Sequence, residues 1–227
     1  MNLKDYISNV DLLIFDFDGT LFQGEQFSLP IFHDCLKKVY SNYQIDKAYP
    51  SDEIILSQFG KQVEDIYNDL FGNNAFEIIK DFSECVATAE LQSFQKGRGE
   101  LFPNVEIILA NLKKSGFKLA ICTNAPKDYW EGAVQRFQLE KYFDLMMAAG
   151  LYPGKNKSWM VHKIVETLKS NYFIVIGDRY HDIEAAKANG GLSVGCKYGY
   201  GRKEIQKADI VISDITELLS IFSIPKK

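Results

Sequence analysis

Histidine is scarce in this chain: three among 227 residues, His33, His162 and His181. They form no zinc spacing, which excludes a histidine-built metal cage. His33 and His162 each fall in a helical pattern and read as structural. Cysteine is also sparse and scattered, at Cys35, Cys85, Cys122 and Cys196, with no C-x-x-C pair. The spacing reads as reduced, structural thiols in a cytoplasmic protein, without a disulfide framework. No long uncharged apolar run is present, so no transmembrane helix is expected. The start, Met1-Asn2-Leu3-Lys4-Asp5-Tyr6, lacks the apolar stretch of a signal peptide. There is no block of basic residues, and the formal net charge is -4. Both argue against a nucleic-acid partner.

What is present is ordinary in bulk and specific in detail. The hydrophobic share of 46% and the charged share of 25% suit a globular protein with one substantial core, or a core plus a smaller domain. The most informative stretch is Leu12-Leu13-Ile14-Phe15-Asp16-Phe17-Asp18-Gly19-Thr20-Leu21. An apolar strand runs into two aspartates one residue apart, and Gly19 turns the chain there. Two acids crowded at a strand end suit a metal ion and an anionic substrate. A strand ending in Asp and Gly is also an ordinary strand–turn junction, so the pair gains meaning only from partners further along.

Between about Phe27 and Phe94 the apolar spacing is helical. Phe32, Leu36, Val39 and Tyr40 make one stripe. Val63, Ile66, Tyr67, Leu70 and Phe71 make a second, and Ile79, Phe82, Val86 and Ala89 a third. Asn73-Asn74 and the Tyr49-Pro50-Ser51-Asp52 segment punctuate them, with Ser51 as an N-cap. Lys96-Gly97-Arg98-Gly99-Glu100 reads as a hinge. From Pro103 helix and strand alternate, with strands at 117–122, 144–148, 172–176, 192–196 and 210–212 and helices between them. Such alternation implies a parallel sheet covered by helices on both faces, with ligands beyond the carboxyl ends of its strands.

The residues just past those strands carry the chemistry. Asp16 and Asp18 follow the first. Thr123-Asn124 follow the strand ending at Cys122. Gly177-Asp178-Arg179-Tyr180-His181-Asp182 follow the strand ending at Ile176. Gly154-Lys155-Asn156-Lys157-Ser158 precedes a helix.

This set resembles the four motifs of the haloacid dehalogenase (HAD) superfamily, chiefly its phosphatases. Asp16-Phe17-Asp18-Gly19-Thr20 resembles the first motif, Ile121-Cys122-Thr123-Asn124 the second, Lys157 the third, and Gly177-Asp178 with Asp182 the fourth. The helical stretch resembles the family's cap, inserted between the first and second motifs. The resemblance implies a Rossmann-like, doubly wound parallel α/β sheet from residues 1–21 and 99–227, with a small all-helical cap at 22–98. It also implies a Mg²⁺-dependent phosphatase acting on a small phosphorylated metabolite, as a monomer or a homodimer.

By the same resemblance Asp16 is the nucleophile that forms an aspartyl-phosphate. Asp18 is the general acid for the leaving alcohol and then the base for water. Asp16, Asp178 and the Asp18 backbone carbonyl hold Mg²⁺, while Asp182 acts on the metal through water or orients Lys157. Thr123 and the backbone amides around Asn124 bind phosphoryl oxygens. Lys157 neutralises charge on nucleophile and phosphate, with Lys155 as the alternative lysine, since the Lys-Pro pair common in the family is absent. Gly19 and Thr20 shape the turn. The second acid, Asp18, sets the chain apart from the dehalogenase members. A sugar-phosphate phosphomutase and a non-enzymatic binding or regulatory relative are the competing readings.

Overall fold

The computed structural model describes residues 2–61, 63–72, 75–201 and 203–222. The expected break at Asn73-Asn74 lies outside the described residues. In chain order the elements are α1 (Leu3–Ile7), β1 (Leu12–Phe15), α2 (Gly24–Asn42), α3 (Asp52–Leu56), α4 (Val63–Phe71) and α5 (Phe76–Gln95). Then come α6 (Val105–Lys114), β2 (Lys118–Thr123), α7 (Lys127–Phe137), β3 (Leu145–Ala148) and α8 (Lys157–Leu168). The chain continues through β4 (Phe173–Gly177), α9 (Tyr180–Ala188), β5 (Leu192–Cys196), β6 (Ile210–Ile212) and α10 (Glu217–Ile221).

The six strands form one sheet in the order β3-β2-β1-β4-β5-β6, and every pairing is parallel. β1 is central, which explains its unbroken apolar run: all four residues are fully buried. Successive side chains on a strand point to opposite faces. Leu13 and Phe15 accordingly pack with α6, α7 and α10, through Ile108, Leu109, Trp130, Ala133 and Leu218. Leu12 and Ile14 pack with α8 and α9, through Met160, Ile164, Ala185 and Ala186. The sheet is therefore doubly wound, an α/β fold as the alternation predicts. After β1 the chain builds outward to β2 and β3, then returns to β1's other side at β4. That reversal leaves a crevice beyond the carboxyl ends of β1 and its neighbours.

Helices α2 to α5 form a second body with its own core of Phe32, Leu36, Val39, Ile55, Phe59, Tyr67, Phe82 and Val86. Ser51 caps α3 as expected, its Oγ accepting from the Ile54 amide at 3.4 Å. His33 has a structural partner, its Nε2 lying 2.7 Å from Asp52 Oδ1. The chain leaves and re-enters the sheet body side by side. Phe22 bridges to Leu101, the Gln23 amide donates to the Glu100 carbonyl, and the Phe102 amide donates to the Leu21 carbonyl. Among the described residues no helix is long and apolar enough to cross a membrane.

One sequence expectation is overturned here. Cys35 and Cys85 form a disulfide, with Cα atoms 5.8 Å apart; only Cys122 and Cys196 are free, both buried. The two bonded cysteines are 50 positions apart, so spacing gave no hint of the pair. It arises because α2 packs along α5 and brings the two positions opposite each other.

Candidate active site

The site begins where β1 stops. The Asp16 amide still donates to the Ile176 carbonyl at 2.8 Å, extending the β1–β4 ladder by one bond. The chain then turns. The Phe17 carbonyl accepts from the amides of Thr20, Leu21 and Phe22. Gly19 has φ +75°, and a Cβ there would lie 2.5 Å from Asp178 Oδ2. Glycine is thus required twice, for the backbone conformation and for the approach of the β4 acid. Gly177 is equally confined, since a Cβ would stand 2.0 Å from the Asp182 carboxyl carbon.

Four charged side chains, Asp16 and Asp178 from two strand ends and Lys157 and Asp182 from two helix starts, meet here. Lys157, in the first turn of α8, is 4% exposed. Its Nζ lies 2.8 Å from Asp16 Oδ2 and 2.7 Å from Asp182 Oδ1. The adjacent Asn156 caps α8 by accepting from the Trp159 amide at 2.9 Å, which fixes where that turn begins. Lys155 points elsewhere, its Nζ 5.3 Å from the centre of the Trp159 ring. Asp16 Oδ1 accepts from the Phe17 amide at 2.7 Å. Asp182 Oδ2 accepts from the Arg179 amide at 3.0 Å. Asp178 Oδ2 accepts from the Tyr200 amide at 2.6 Å, and Oδ1 from Thr20 Oγ1 at 3.3 Å.

Burial sets the electrostatics. It pushes the Asp16 carboxyl up to about 6, against the pull of the Lys157 ammonium. Burial raises Asp178 well above the usual carboxylate range, and the charges of Asp16 and Asp182 add to it. For Lys157 burial acts against the charge, but Asp16 and Asp182 more than offset it and its pKa rises. Asp18 is pushed up to about 7, again by burial, while the Tyr129 hydroxyl that donates to its Oδ1 works in the opposite direction.

Asp16, Asp178 and Asp182 are all buried and offer oxygens within 4.8 Å of one another. Three buried acids against one ammonium leave an excess of negative charge, and all the donors are hard oxygens. That set fits a hard divalent cation such as Mg²⁺.

A cavity of about 80 Å³ opens beside these acids. Its floor is Asp16, Asp18, Thr123, Asn124 and Tyr129; its roof is the inner face of α2–α5 and the loop at Phe59-Gly60-Lys61. Thr123 is buried, and its Oγ1 accepts from the Ala125 amide at 3.2 Å. The Asn124 side chain reaches the helical body instead, donating to the Gly60 carbonyl at 2.9 Å.

Comparison with known proteins supports what this geometry indicates. The family model for haloacid dehalogenase-like hydrolases matches residues 13–195. The chain belongs to that family. It is 26% identical over 243 residues to a phosphoglycolate phosphatase of Vibrio parahaemolyticus, covering 95% of this chain and 97% of that one. It is 24% identical to the pyrophosphatase PpaX of Bacillus mycoides, covering 94% and 97%. Among solved structures it is similar to a haloacid dehalogenase-like family hydrolase from Streptococcus pneumoniae. That match has a TM-score of 0.76 at 19% identity and covers 94% of this chain and 99% of the other. At that identity the structural likeness speaks for the fold.

The structure of this haloacid dehalogenase-like hydrolase also shows residues that the sequence reading passed over. Tyr129 is buried in the first turns of α7 and bonded to Asp18. Its signal was present: α7 starts straight after the β2 end, so its first turns must return to the crevice. Arg179, just before α9, is buried. It pairs with Glu204 at 3.0 Å and donates to the Phe59 carbonyl of the helical body. Glu90, on α5, and Tyr200, after β5, line the cavity. No local pattern marks either of them.

Proposed function

We propose that this chain, a haloacid dehalogenase-like phosphatase, hydrolyses a small phosphorylated metabolite through an aspartyl-phosphate on Asp16. The observation that carries the proposal is the Lys157–Asp16 pair at the end of β1, with Asp16 lining a cavity in which Asp18 is bonded to Tyr129. In this reading residues 1–21 and 99–227 are the catalytic body and 22–98 the cap.

An Asp16 carboxylate oxygen attacks phosphorus while the bond from phosphorus to the leaving oxygen breaks. Asp18, held near neutral pH as an acid by its burial, gives its proton to that oxygen. The Asp18 carboxylate then takes a proton from water, which attacks the phosphorus and releases Asp16 and inorganic phosphate. Tyr129 aims Asp18 in both half-reactions. Lys157 balances charge on Asp16 and on the phosphoryl group, and Asp182 holds Lys157 in place. The Thr123 hydroxyl and the amides after it bind phosphoryl oxygens. When bound, Mg²⁺ would be held by Asp16, Asp178 and the Asp18 backbone carbonyl. It would screen the repulsion between the anionic nucleophile and the phosphate.

The test is phosphate release from a panel of small monoesters, phosphoglycolate included, and from the anhydride pyrophosphate, the two substrates named for the relatives. Release is expected with Mg²⁺, and its loss on adding a chelator is expected to reverse when Mg²⁺ is restored. Asp16→Asn should lower turnover by about 10,000-fold or more. Phosphate release that survives in Asp16→Asn would sink the mechanism.

A further inference from the structure

The cavity does not end at the phosphate site. From Asp18 and Thr123 it runs under the helices to Glu90 on α5 and Ser28 on α2. Glu90 is only 5% exposed. Its Oε1 accepts from Ser28 Oγ at 2.7 Å, and among the described residues that is its only hydrogen bond. Oε2 is left for whatever fills the cavity. Phe32, Ile66 and Val86 line the cavity with this pair, as do the polar groups of Asp18, Tyr129 and Tyr200. A buried acid in such a wall is costly unless it has work to do there.

We propose that Glu90, held by Ser28, reads the leaving-group end of the substrate. The leaving group is then a short neutral chain carrying a hydroxyl, and not a carboxylate. This deepens the phosphatase reading and rests on it. Glu90 stands close enough to Asp18 to feel its charge, so the leaving group that bridges them is short. A hydroxyl can donate to a carboxylate or accept from a protonated carboxyl, so it suits Glu90 in either state. A substrate carboxylate would instead lie between Asp18 and Glu90. Among the described residues the one cation that lines this space, Lys61, is already held by Asp69 at 2.7 Å and by Gln58 at 2.9 Å. Burial, with a further contribution from the Asp18 charge, pushes the Glu90 carboxyl up to about 8, so the wall opposes a substrate carboxylate above that pH, where Glu90 is charged.

The experiment compares kcat/KM of the full chain with Mg²⁺ at about pH 9, where Glu90 is ionised, for 2-hydroxyethyl phosphate, glycerol 1-phosphate and 2-phosphoglycolate. Wild type should favour the hydroxylated esters over phosphoglycolate by about tenfold or more. Glu90→Gln, close in shape but never charged, should narrow that ratio about fivefold or more, chiefly by lowering KM for phosphoglycolate. Glu90→Leu should lower kcat/KM for the hydroxylated esters by about tenfold, because their hydroxyl loses its partner. Thermal melts establish that both variants are folded. Equal or better use of phosphoglycolate by wild type overturns the inference alone and leaves the phosphatase reading standing; so does a ratio unchanged in both variants. No release from any of the three esters above an Asp16→Asn control, with none from the wider monoester panel, overturns the phosphatase reading and this inference with it.

Discussion

In the sheet body, every candidate catalytic residue named from sequence stands within a few positions of a strand end or in the first turn of α8. In the helical body, the residues that face the cavity come from the interiors of helices and one loop, with Ser28 and Phe32 on α2, Ile66 and Tyr67 on α4, Val86 and Glu90 on α5, and Phe59-Gly60-Lys61 between α3 and α4. The two bodies meet at one cavity but reach it by different rules. A parallel sheet forces all its strand ends to one edge, so chemistry gathers there whatever the connecting segments do. A helix bundle has no such edge. Which of its faces turns inward depends on how each helix packs against its neighbours. The first body can therefore keep one reaction while the second varies the substrate.

The largest expected effect tests the sheet half of this contrast. Lys157→Ala should lower kcat/KM by about 100- to 1,000-fold, the range seen when one group that stabilises developing charge is removed. It should also destabilise the fold by about 3–5 kcal/mol, because Asp16 and Asp182 keep a buried charge with no partner. Lys155→Ala, against Trp159, should stay within about twofold of wild type. A larger loss from Lys155→Ala in steady-state kinetics would break the assignment of the cation to the α8 start.

Next comes the helical body's own cross-link. Cys85→Ser should lower the unfolding free energy by about 2–4 kcal/mol, since the disulfide closes a loop of about 50 residues in the unfolded chain. A thermal melt of wild type with and without reductant should show the same difference. A wild-type melt indifferent to reductant would mean that α2 and α5 hold together without the bond.

The smallest effect lies on the seam between the bodies. Arg179→Leu removes donors from the Phe59 and Ser57 carbonyls and the partner of Glu204. The expected cost is about 1–3 kcal/mol in a denaturant melt. The fall in kcat/KM should be modest and carried by KM, because the roof of the cavity loosens while the acids stay put. A fall in kcat with KM unchanged would place Arg179 in the chemistry instead.

Legibility in the sequence follows the same division. The strands, their order of appearance and the acids after β1 and β4 could be read because each signal is local: an apolar run, a turn residue, a charged group. Asp16, Lys157 and the Asp178–Asp182 segment are far apart in sequence, yet sheet geometry alone predicts that they converge. Strand limits differed from expectation by about one residue, as in β2, which runs on through Thr123. The cysteines were misread for the opposite reason. Nothing local to Cys35 or Cys85 tells which helix faces which.

By itself, then, the sequence determined an α/β sheet with an acid-rich edge, a helical insertion after the first strand, and a family resemblance carried by four short motifs. Only the tertiary structure decided that Lys157 and not Lys155 reaches Asp16, that Tyr129 bonds Asp18, that Cys35 joins Cys85, and that Glu90 lines the cavity. Each of these depends on a distance between segments remote in the chain. Such distances are settled when apolar faces pack in one arrangement, and no local preference along the backbone encodes them.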